Sequence, residues 1–94
     1  MNRQARFETT RESAVREVGV LSRVLADLVR NVQLIETDIA AEETRAGVSD
    51  RSDVKYPILA RTLIDRRDNL KMTIAALEQR YAERALHEQV ATAA

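Results

Sequence analysis

Four arginines, Arg16, Arg23, Arg30 and Arg51, could do chemistry if they converged, because clustered guanidinium groups neutralise a dicarboxylate. Their spacing argues against it. Arg16, Arg23 and Arg30 stand seven residues apart, which on an α-helix lines them up along one outer stripe. Glu42 and Glu43 are adjacent, so they point to different sides of a helix and form no carboxylate pair for acid–base work. His87 is the lone histidine, there is no cysteine, and no Cys/His cluster has metal-ligand spacing. No glycine-rich loop exists to cradle a phosphate. Arg61, Arg66, Arg67 and Lys71 form a basic cluster, but Asp65 and Asp68 interrupt it, the pattern of a solvated, self-paired face. Aromatic side chains for base stacking are scarce: Phe7, Tyr56 and Tyr81. The chain therefore reads as a non-enzyme with no cofactor, metal or nucleic-acid partner.

The elements that carry these residues are read from an apolar series. Val18, Leu21, Leu25, Leu28, Val32, Ile35 and Ile39 are separated by alternating steps of three and four. On a helix of 3.6 residues per turn this is one narrow stripe, a coiled-coil seam that requires a partner helix. A second seam reads Tyr56, Ala60, Leu63, Arg67, Leu70, Ile74, Leu77, Tyr81 and Arg84. Composition agrees with long helices: 45% hydrophobic, 32% charged, 3% aromatic, with two glycines and one proline among 94 residues. Fifteen basic and fifteen acidic residues give a formal net charge of zero, so no global field collects nucleic acid or acidic lipid. No apolar run reaches the roughly 18 residues of a membrane span, and Met1–Thr10 lacks the apolar segment of a secretory signal. A cytoplasmic protein without membrane insertion is expected.

The expected architecture is all-α, a single domain over residues 1–94 forming an antiparallel two-helix coiled-coil hairpin. The first helix is placed at about residues 9–46, with Thr9 and Glu12 at capping-box spacing and Gly47 as its C-terminal cap. Residues 47–56 are rich in turn formers and make the loop. Pro57 opens the second helix, which runs to about residue 89 before a frayed end. Laid antiparallel with facing numbers summing to 105 or 106, Ile39 meets Arg67, Ile35 meets Leu70, Val32 meets Ile74, Leu28 meets Leu77 and Leu25 meets Tyr81. Glu42 and Arg67 both fall on seam positions and are expected to pair and fix the register. Arg84 is expected to lay its stem on Leu21 with its head in water. Gly19, inside the first helix, costs about 1 kcal/mol relative to Ala and reads as tolerated. Val15, Val24, Val29, Ile64 and Met72 lie beside the seams and need cover, so a homodimer forming a four-helix bundle is expected.

The segment from Glu42 to Leu70 carries a motif: acidic Glu42-Glu43, the turn Ala46-Gly47-Val48-Ser49-Asp50, then Tyr56-Pro57, Ala60-Arg61 and Arg66-Arg67-Asp68-Asn69-Leu70. This segment, about a third of the chain, resembles the hairpin region of the flagellar export protein FliJ family of alphaproteobacteria. The resemblance implies an antiparallel coiled-coil hairpin of the bacterial flagellar type III export apparatus. It further implies a stalk or chaperone-escort role, with the export ATPase, the export gate or export chaperones as partners. Exposed polar residues at such a tip, Arg61, Arg66 and Asn69, become the candidate contact surface. The alternative is a stand-alone helical adaptor or assembly factor unrelated to flagella. A weaker one is a small all-helical enzyme of the chorismate mutase kind, a family with an essential lysine in its first helix; here no lysine precedes Lys55.

Overall fold

The two apolar seams form two helices that pack against each other, α1 (Arg3–Ala46) and α2 (Ile58–Ala93). The computed structural model describes the backbone of residues 3–93 and the side chains of residues 11–87 and 89. Among the described residues there is no strand, and no helix is long and apolar enough to cross a membrane.

α1 begins at Arg3, six residues before the expected cap, so Thr9 lies inside the helix. Arg, Gln, Ala and Glu dominate its opening residues, and their summed helix propensity outweighs one capping signal. α2 continues to Ala93, past the expected end at 89. Pro57 is the residue before α2 rather than its first, and its carbonyl accepts the Arg61 amide at 3.2 Å, the opening bond of the helix.

The chain divides into two compact units, one of Met1–Ala26 with Ala75–Ala94 and one of Asp27–Ile74. In the 27–74 unit the end of α1 packs antiparallel against the start of α2. Ile35 and Ile39 from α1 meet Tyr56, Ala60 and Ile64, with Val48, Leu63 and Leu70 packed against them. Ala60 has no exposed surface. Its methyl lets the helices approach, and the larger side chains one turn to either side fill the space. Lys71 Nζ reaches Glu36 Oε1 at 3.7 Å across the same pair.

Ile64 was expected on a flank facing a second copy, yet it is only 8% exposed and belongs to this core. The buried row of α2 runs Tyr56, Ala60, Ile64 in steps of four, and seam residue Leu63 packs half-buried beside it. In the other unit Leu21 is buried, with Val18, Leu25, Leu77 and Tyr81 half-buried. Glu17 Oε1 accepts from Arg80 Nη2 at 2.9 Å and lies 3.4 Å from Arg84 Nε. The head of Arg84 is thus held by a carboxylate. The hydrogen bond from Arg80, ahead of the charge of Arg84, holds the Glu17 carboxyl below the usual carboxylate range.

The two glycines differ in what they allow. Gly47 ends α1 at φ 70°, in the left-handed region. Its amide donates to the Glu43 carbonyl at 2.9 Å and the Val48 amide donates to the same oxygen at 3.2 Å, so the last turn closes on itself. Gly19 has an ordinary helical backbone and open space where a Cβ would stand. Gly47→Ala should therefore cost about 1 kcal/mol, the strain of a left-handed L-residue, while Gly19→Ala should add about 1 kcal/mol. Opposite shifts of the two melting midpoints check this; shifts of the same sign would contradict it.

Candidate interaction tip

The loop between the helices is built by two turns in succession. Asp50 Oδ1 accepts from the Ser52 amide at 2.9 Å and from Ser52 Oγ at 2.7 Å. Asp53 Oδ1 accepts from the Lys55 amide at 2.8 Å. The main chain follows: the Asp53 amide donates to the Asp50 carbonyl at 3.1 Å, and the Tyr56 amide donates to the Asp53 carbonyl at 3.0 Å. Each aspartate thus closes a turn with its own side chain. The signal for this in the sequence is a tandem repeat, Ser49-Asp50-Arg51 then Ser52-Asp53-Val54, three residues per turn unit. Hydrogen bonds from Ser52 keep the Asp50 carboxyl below its ordinary range.

Tyr56 ties this loop to both helices. The residue is 3% exposed, and its hydroxyl donates to Glu43 Oε2, 3.2 Å away at the end of α1. Burial, reinforced by the carboxylate, pushes the phenol above its ordinary value. The Arg61 guanidinium lies 5.3 Å from the Tyr56 ring centroid and donates through Nη2 to the Asp53 carbonyl at 3.2 Å. The tip is therefore braced by its own side chains.

These contacts change the roles of the residues singled out by sequence. Arg61 remains exposed but its head is engaged in bracing the loop. Arg66 and Asn69 are exposed on the surface of α2. Glu42 and Arg67 do not pair with each other. Glu42 accepts from Arg45 Nη2 at 2.8 Å, three residues along the same helix, and that bond holds its carboxyl low. Arg67 donates to the adjacent Asp68 at 3.1 Å. Local partners win because holding two long side chains together within one turn orders less of the chain than holding them across the interface.

Val15, Val24, Val29 and Met72 are exposed, but they do not share one face. Val24 and Val29, five residues apart, are turned about 140° from each other around α1. Met72 stands two residues past seam residue Leu70, about 200° round α2 and so facing away from α1.

The residues missed as a site are apolar. Val54 is 98% exposed at the second position of the Asp53–Tyr56 turn, and Ile58 is 82% exposed at the first residue of α2. Arg51 and Lys55, on either side of Val54 in sequence, are exposed on the same loop. A braced turn that holds two bare aliphatic side chains in water can offer them to a pocket at little further ordering cost.

No protein-family model, curated protein or solved structure matches this chain.

Proposed function

We propose that this chain is a non-enzymatic protein-interaction module of the flagellar type III export accessory kind, working in the bacterial cytoplasm as a stalk or chaperone escort. The observation that carries the reading is the tip. Gly47, Tyr56, Pro57 and Arg61, which carry the FliJ resemblance, brace a turn that leaves Val54 and Ile58 bare. A protein partner with an apolar pocket covers them; the export ATPase, the export gate and export chaperones are the candidates. Self-association into a four-helix bundle belongs to the same reading, since two-helix pairing leaves Val15, Val24 and Leu34 exposed.

The test is genetic. Deleting the gene in its native host should abolish swimming and lower flagellin in the medium, and the intact gene should restore both. Normal motility with normal flagellin secretion in the deletion strain would overturn the export role and leave the adaptor reading.

A further inference from the structure

We propose that two copies of this chain dock through the open groove of the 27–74 unit, around a two-fold axis parallel to the helices. The inference rests on the self-association proposed above and names its surface.

The groove lies between α1 and α2 and is lined by Asp38, Ala41 and Glu42 on one side and Leu59 and Leu63 on the other. Leu59 is half exposed. Leu34, one heptad before Ala41, extends the α1 edge and is also half exposed. Arg66, one heptad past Leu59, extends the α2 edge. The α1 edge thus carries Asp38 and Glu42, the latter already paired with Arg45, and the α2 edge carries Arg66. Asp38 and Arg66 are both exposed, and neither has an ion-pair partner among the described residues.

Register makes the two edges complementary. Glu36 meets Lys71, and Glu42 lines the groove with Leu63. Asp38 therefore stands within about one helical turn of the level of Arg66 on the opposite edge, and Leu34 within about one turn of the level of Leu70. A two-fold axis along the helices lays α1 of one copy over α2 of the other without changing level. Asp38 then meets Arg66 of the second copy, and the pair occurs twice. Leu34 covers Leu70 of the second copy, which is half-buried in one chain alone. Ala41, small enough for close approach, sits over Leu63 of the second copy. A two-fold axis across the helices would stack α1 on α1 and α2 on α2, so that Asp38 and Arg66 of the two copies could not meet.

Sedimentation equilibrium on the full chain tests this, with circular dichroism melts to show that each variant is folded. The wild type should dimerise in the micromolar range. Asp38→Arg and Arg66→Asp should each weaken the dimer by about tenfold or more, and the double variant should recover it to within about threefold. Leu34→Glu, at an exposed position, should weaken it without altering charge at either member of the pair. A wild type that stays monomeric at about 100 µM overturns both the surface and self-association. A dimer indifferent to the single changes, or single losses that the double change does not repair, overturns the surface and leaves self-association standing.

Discussion

Ala60→Asp is expected to abolish the folded 27–74 unit. Ala60 has no exposed surface and is enclosed by Ile35, Ile39, Tyr56 and Ile64, none of which can donate to a carboxylate except the Tyr56 hydroxyl, already given to Glu43. An unpaired buried charge costs several kcal/mol, and a domain of this length is stable by roughly 5 to 10 kcal/mol. Two helices with a small core have little reserve. Ellipticity at 222 nm should fall and the cooperative thermal transition should disappear at 25 °C. Ala60→Ser, which brings a hydroxyl that can bond a helix carbonyl, should keep the transition. An aspartate variant melting within a few degrees of the wild type would show that Ala60 is not enclosed.

Val54→Ser with Ile58→Ser should act the opposite way. Both side chains are almost wholly in water, so the melting midpoint should stay within about 0.5 kcal/mol of the wild type, as surface changes usually do. The turn itself keeps its bonds, because Asp53 and Tyr56 close it through atoms the substitutions do not touch. Binding should suffer. Two aliphatic side chains moved from water into a pocket contribute about 1.5 to 3 kcal/mol each, so their joint removal should weaken the partner complex by more than about a hundredfold.

The seam of α1 was legible because only seven positions share the stripe, and all of them are buried or half-buried. Gly47 was legible too, since its type, its place after the last periodic residue and its positive φ agree. Ile64 was not, because the alternation of three and four passes through Leu63, whereas the row that closes on Ile35 and Ile39 runs Tyr56, Ala60, Ile64 in steps of four. The Glu42–Arg67 pairing failed for want of the competing local partners, Arg45 and Asp68, which a facing-residue scheme leaves out. At the tip, composition announced a turn but not its product. The repeated Ser-Asp unit spends its aspartates on backbone amides, and this determines that Val54 occupies the apex of a turn, where polar residues are usual.

This chain is expected to work by offering its tip to another protein. The deciding measurement is capture from a native-host extract on immobilised wild type, on the Val54→Ser, Ile58→Ser variant and on Gly19→Ala, with bound proteins measured by mass spectrometry. The predicted result is one or more proteins enriched on the wild type and on Gly19→Ala but reduced at least about tenfold on the tip variant, with all three equally folded. Equal recovery of the same proteins on the tip variant would contradict the claim.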